Sequence, residues 1–439
     1  MLLGTTEKAF ATQSDFVFYS YIIRDIPPTK DEAIAYEGGK KVDEFITEWL
    51  ASAEHKTRIR RLFDDIIFVH ARPGGTFPGF RLNLKKLDNG TKDNPDDDFY
   101  YLNRKAKCGH GQTKMVNAWW SNSKVRVCPS AISDAIQYKD KDDKDIFCAR
   151  GGSRGTDAKE CGCGPNLILC KPEDIQGEFQ FAVRDEFGQR GLHIYENQLS
   201  WQDLLIGDFF YGNRHLYHLY LFQGGKLHIG ELPTADELKA MKELPASSDE
   251  FAKRPFPETK ALFAGWITSP GFLNTYNNFR SRIRGIAEKF LCQDVSPLLN
   301  TKGRTDFLNP QFKPEDLEHA KISGCEGCHY PLDNWGSVFF GWNTSGQFNT
   351  WDKEPANQVG WVFDKDISGP KELMESLIGH DWFSSCMAKR VWENITQSSW
   401  DGLPDNVKTE IKGFAKDSPH KLITGIYKSS YVKDLRKPE

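Results

Sequence analysis

Apolar positions recur with helical period early in the chain. Val42, Phe45, Ile46, Trp49 and Leu50 fall at i, i+3, i+4, i+7 and i+8, and after a polar break Ile59, Leu62, Phe63 and Ile66 repeat the stripe, the signature of two amphipathic helices packed together. Upstream, Thr29-Lys30-Asp31-Glu32 is a capping box, in which a hydroxyl and a carboxylate satisfy each other's orphan amides, so a helix starts there. From Ala71 to Ala149 the period dissolves into Pro, Gly, Asn and Asp, which predicts loop. Helical signals return at Ser200, an N-cap for Trp201, Leu204 and Leu205, and the stretches Leu262–Pro270 and Ile283–Leu291 then precede Cys292. The polar stretch Glu231–Pro257 predicts a linker or domain edge. No internal repeat of fixed period interrupts this order. The pattern predicts a mainly α, multidomain protein: an N-terminal helical region (1–106), a Cys-rich irregular loop insert (107–171), a helical middle region (172–295) and a C-terminal domain (296–439).

With 439 residues, 39% of them apolar and 13% aromatic, the chain is long enough for two to four domains with real cores. Its net charge of −4 comes without a basic stripe, so nucleic acid is not the expected partner. No run reaches the ~18–20 apolar residues of a membrane helix. Met1 to Phe16 likewise has no charged segment leading into an apolar core, so the chain reads as soluble with no transmembrane segment. Asp140, Asp142, Asp143 and Asp145 resemble a calcium loop but lack its central glycine and closing glutamate, which favours a solvated charged loop. His215 and His218, three apart on a helix, could share a metal, but no third ligand stands at a recognisable spacing. No Ser/His/Asp or paired-carboxylate arrangement suggests a hydrolase.

Ten cysteines change the picture. Six of them, Cys108, Cys128, Cys148, Cys161, Cys163 and Cys170, crowd into 63 residues, as in a disulfide framework made in an oxidising compartment. The alternative is a zinc or iron–sulfur site, although the CxC step and the wide gap after Cys148 match none of the usual ligand spacings. Disulfides from Cys161 and Cys163 would bridge outward to Cys148, Cys170, Cys108 or Cys128, in a connectivity that spacing leaves open.

The residues Cys325-Glu326-Gly327-Cys328-His329 form CxxCH, the attachment signature of a c-type haem. Two thiols on one helical turn each add to a vinyl group while the adjacent imidazole reaches the iron. Chance would supply only roughly 0.006 such matches at this composition. A thioredoxin-like dithiol would want a βαβ context and a zinc half-site a second ligand pair, and neither is evident. Cys325 and Cys328 are thus the expected thioether anchors of one covalent haem c, and His329 the proximal ligand of its iron. The sixth position falls to His319, to Met387, to Met374 or His380, or stays open. Seven of the twelve tryptophans lie beyond Ser296, as walls for a flat cofactor or as an ordinary aromatic core.

The segment from His319 to Phe348, above all Cys325 to Gly336, resembles the CxxCHxxxDPxG signature of the large multidomain c-type cytochromes of planctomycetes, myxobacteria and related bacteria. Thr268 to Leu273, Arg284-Gly285 to Leu291-Cys292, Ser200 to Tyr220 and Phe383 to Trp392 are similar to further blocks of that family, and residues 20–70 to its N-terminal helices. The resemblance implies a helical, exported redox protein, periplasmic or at the cell surface, with His319 the leading sixth ligand and Cys292 paired to Cys386. Asn334 stands where the family has proline. A single CxxCH gives no support to a multi-haem wire within this chain. The function implied is electron transfer to and from partner proteins, within a larger redox assembly. The alternatives are a haem peroxidase or oxidase with an open distal site, and a disulfide-braced binding or structural protein at the cell surface.

Overall fold

The computed structural model describes residues 6–67, 82–87, 98–102, 105, 107–133, 135–139, 143, 145–148, 161–227, 231–247, 250–259, 261, 263–293, 332–343, 346–348, 359–363, 365–429 and 431–432. Four helices open the chain: α1 (Thr6–Arg24), α2 (Lys30–Glu37), α3 (Val42–Leu50) and α4 (Ala53–Ile67). The capping box forms as the sequence predicts, with Glu32 N–H donating to Thr29 Oγ1 and Thr29 N–H to Glu32 Oε2. Glu32 also accepts from Arg24 and from Trp49 Nε1. Burial pushes its carboxyl up, but these hydrogen bonds outweigh burial and hold it at about 2. The α4 stripe (Ile59, Leu62, Phe63 and Ile66) and Phe45 and Trp49 of the α3 stripe are at most 3% exposed, while Val42, Ile46 and Leu50 are partly buried against the same core.

The region 71–149, read as loop, carries short strands instead. β1 (Leu82–Leu87), β2 (Phe99–Leu102), β3 (Lys114–Val116) and β4 (Val125–Val127) are followed by a separate hairpin of β5 (Gln137–Lys139) and β6 (Asp145–Phe147), and then by β7 (Cys170–Pro172). The sheet order is β3-β4-β2-β1-β7. β1 runs antiparallel to β2 with Leu84 opposite Leu102, and parallel to β7 with Leu82 opposite Cys170. Strands of three residues are too short to show a period-two pattern, which is why the sequence hides them.

A 21-residue helix, α5 (Gln176–Glu196), links sheet to helices, followed by α6 (Trp201–Ile206), β8 (Phe209–Gly212) and α7 (Arg214–Gln223). Ser200 caps α6 by accepting from Asp203 N–H. Every residue of α7 is buried, so it is a central helix without a polar face. The stretch expected to be a linker contains α8 (Ala235–Lys242) and β9 (Ala252–Pro255), the latter paired with β8. Its Met241 and Leu244 are core residues.

Next come α9 (Pro270–Thr275) and α10 (Phe279–Ile286), which runs on as a π-helical stretch over Ala287–Leu291. A helical turn over 332–336 leads to the hairpin β10 (Val359–Val362) and β11 (Lys365–Ser368). Helices α11 (Gly369–Ile378), α12 (Asp381–Thr396), α13 (Asp405–Asp417) and α14 (Pro419–Lys428) close the fold, which is mainly α.

Two apolar cores result. One gathers α1, α3 and α4, the middle of the chain and the C-terminal helices, so the N-terminal and C-terminal regions share side-chain packing. The other joins the sheet, the start of α5, and α7 and α8. Phe263 packs against both.

Candidate functional site

Cys325, Cys328, His329 and His319 lie outside the described residues, and the surroundings of the motif are read from the segments that bracket it. On the N-terminal side, Cys292 ends the π-helical stretch in a left-handed conformation (φ 52°) and is bonded to the buried Cys386 of α12, with Cα atoms 5.1 Å apart. This is the pairing implied by the cytochrome resemblance. On the C-terminal side, Asp333 takes a forked pair of hydrogen bonds from Arg280 of α10, Nε at 2.5 Å and Nη2 at 2.8 Å. Its side chain is only 3% exposed, and the fork supplies the charge compensation that a buried carboxylate needs. Gly336 lets the Phe279 ring approach to where a Cβ would stand at 2.6 Å. Two residues further along α10, the fully buried Arg282 donates to the carbonyls of Tyr276, Trp342 and Asn343, with burial holding its guanidinium down at about 9.

Four blocks distant in sequence therefore meet. Trp266 packs on Phe272 and on Phe290 at 4.9 and 5.4 Å, Phe290 faces Phe383 at 6.5 Å, and Phe272 faces Phe339 at 6.3 Å. Among the alternative sixth ligands, Met374 and Met387 are both 0% exposed within this apolar core. His380 caps α12, its Nδ1 accepting from Trp382 N–H, and stacks on Phe363 at 4.4 Å. Trp335, Trp342, Trp392 and Trp400 are buried in the same core.

The eight cysteines outside CxxCH are all paired: Cys108–Cys128, Cys148–Cys161, Cys163–Cys170 and Cys292–Cys386. The CxC step bridges outward in both directions, and the zinc and iron–sulfur alternatives at Cys148 to Cys170 fall with it. His215 and His218 do not form a metal pair. His218 lies flat on Trp119 at 3.9 Å and its Nε2 bonds Ile168 O, while His215 packs edge-on to Trp119 and Phe179. Burial keeps both neutral, His215 down at about 4 and His218 at about 3. In the calcium-like run, Asp145 pairs with Lys139 across the β5–β6 hairpin, while Asp140 and Asp142 lie outside the described residues. No group of three or more ligating side chains placed to hold a metal occurs among the described residues.

No family model, curated protein or solved structure matches the chain. Its chemistry rests on its own residues.

The structure also assembles a cleft that the sequence does not announce. About 310 Å³ in volume, it lies at the seam of α4 and α5 and is lined by Arg60, Asp64 and Asp65 on one side, Arg184, Asp185 and Glu186 on the other, and Trp266. Asp185 pairs with Arg184 at 2.8 Å and reaches Arg60 at 3.9 Å. Burial first, then the neighbouring Asp185, pushes the Asp64 carboxyl up to about 7. Burial likewise lifts Glu186 to about 7, although Tyr220 donates to it at 2.5 Å and Arg190 lies near. These carboxyls are 122 residues apart in sequence. The only local signal is Gly188 and Gly191, two helix-weakening residues three apart on α5.

Proposed function

We propose that the chain is a mono-haem c-type cytochrome that passes electrons between partner proteins outside the cytoplasm, within a larger redox assembly. The observation that carries this reading is the cysteine inventory. Of ten cysteines, eight are committed to four disulfides, so Cys325 and Cys328 have no cysteine left to pair with except each other. Two cysteines three positions apart and followed by histidine, with no partner among the other eight, are the donor set that covalent haem attachment requires. Cys325 and Cys328 would hold the group through thioethers and His329 would supply a nitrogen ligand to its iron, with His319 or Met387 as candidates for a further protein ligand. Bound there, the haem would accept and release one electron at its iron.

What the chain's own residues contribute is anchorage. The Cys292–Cys386 bond fixes the start of the motif's segment to α12, and the Arg280–Asp333 fork fixes the residue four positions after His329 to α10. Four disulfides fit folding in an oxidising compartment, and among the described residues no helix is long and apolar enough to cross a membrane.

The test is the absorbance spectrum of natively produced protein, oxidised and reduced, repeated in alkaline pyridine after acid–acetone extraction. Haem that stays on the polypeptide, with a low-spin native spectrum, supports the carrier. Covalent haem with a high-spin ferric spectrum and peroxide turnover points to the peroxidase instead. No attached haem leaves the disulfide-braced binding protein.

A further inference from the structure

We propose that the α4–α5 cleft is a pH-operated latch, closed while Asp64 docks against α5 as a neutral carboxyl and loosened when Asp64 ionises opposite Asp185. The fit of the two helices is the first ground. A Cβ on Gly188 would lie 2.5 and 2.7 Å from the Asp64 carboxyl oxygens and 2.8 Å from Arg60 Cγ, and one on Gly191 would lie 2.3 Å from the Phe63 ring. Helix α4 therefore sits in a glycine notch with the Asp64 carboxyl laid on the α5 backbone at Gly188. Any charge at that point is held against a helix surface instead of in water, which disfavours ionisation.

The second ground is how the neighbouring charges are shared. From α4 itself, Arg60 and Asp65 flank Asp64. From α5, Arg184, Asp185 and Glu186 face the same cleft. Arg184 is bonded to Asp185, and Arg60 reaches that same carboxylate, so the cation four residues before Asp64 on α4 also faces a like-charged rival. From α12, Asn394 donates to Asp65, and Arg390 donates to Ile66 O. The segment around α9 contributes Trp266, Ser269 and Gly271, all uncharged. Glu186 is occupied by Tyr220 of α7 and lies near Arg190. After burial, the Asp185 carboxylate is thus the next influence that disfavours a charge on Asp64.

Linkage fixes the working range. In the closed seam Asp64 holds its proton to about pH 7, whereas a solvated aspartate releases it near 4. Opening is therefore favoured progressively as pH rises from about 4 to 7, and levels off above.

Hydrogen exchange of the full-length chain at pH 5 and pH 7.5, corrected for the intrinsic pH dependence, tests this. Exchange of α4 and the facing turns of α5 is expected to rise at least about tenfold at the higher pH. In Asp64→Asn it should stay at the low-pH level at both. Equal protection of the wild-type seam at the two pH values, or an unchanged rise in Asp64→Asn, overturns the latch. Should that variant fail to fold, Asp185→Asn serves: it removes the opposing charge and should shrink the rise, and a full-size rise there also overturns the proposal.

Discussion

The two cores are held together by different means. The larger one is built from helices whose apolar stripes bury rings such as Phe45, Trp49 and Phe63, and one disulfide, Cys292–Cys386, spans 94 residues of it. The smaller one rests on a sheet with strands of three to six residues, tied by three disulfides spanning 20, 13 and 7 residues. Strands so short form few ladder bonds, and two- or three-residue pairings are marginal in water. Covalent bracing stands where periodic burial is weak, and one long-range bond suffices where it is strong.

Removing the three sheet bridges is the harshest way to break this comparison. Each closes a loop worth about 2.5–3.5 kcal/mol in the chain-entropy account, so losing all three costs roughly 8 kcal/mol if they add. Partial reduction followed by limited proteolysis should cut the region 82–172 while α3, α4 and α12 persist as a protected fragment. Next in size is Cys292→Ala with Cys386→Ala, expected to cost about 4–5 kcal/mol in urea unfolding while leaving the sheet protected. A sheet that unravels first in this variant would mean that the cores do not stand apart.

Acid sharpens the contrast, because the α7 histidines and Asp64 titrate in opposite senses. His215 and His218, in the sheet core, are held below the ordinary histidine value; their contribution is complete above about pH 6.5 and is lost as pH falls toward 4. Asp64, at the α4–α5 seam, is held above the ordinary carboxyl value; its penalty disappears as pH falls from 7 toward 4. Hydrogen exchange across pH 6.5 to 4.5 should therefore show α7 losing protection while α4 gains it, and parallel loss in both would contradict the assignment. The smallest expected effect is local. Thr29→Ala removes the cap of α2 and should cost about 1 kcal/mol by thermal unfolding, without touching the sheet.

What the sequence reveals divides along the same line. The stripes of α3 and α4, the Thr29–Glu32 box and the Ser200 cap are local patterns and appear in the structure where the residues place them. Helix α5 falls within the region 172–295 read as helical but has no signal of its own, because Gly177, Gly188 and Gly191 lower its helix propensity, yet two of those glycines are what lets α4 approach. The three-residue strands are too short to carry a period, and the carboxyl cleft depends on residues from two helices that only tertiary packing unites. The disulfide connectivity of the CxC step needed geometry, whereas the haem signature is wholly a matter of adjacent residues.

The most direct test of the cytochrome reading is the intact mass of native protein, denatured and alkylated without reduction. The cysteine inventory predicts no alkylated thiol and the added mass of one haem, with eight cysteines in disulfides and Cys325 and Cys328 in thioethers. Two alkylated cysteines mapped to Cys325 and Cys328, with no haem mass, would contradict it.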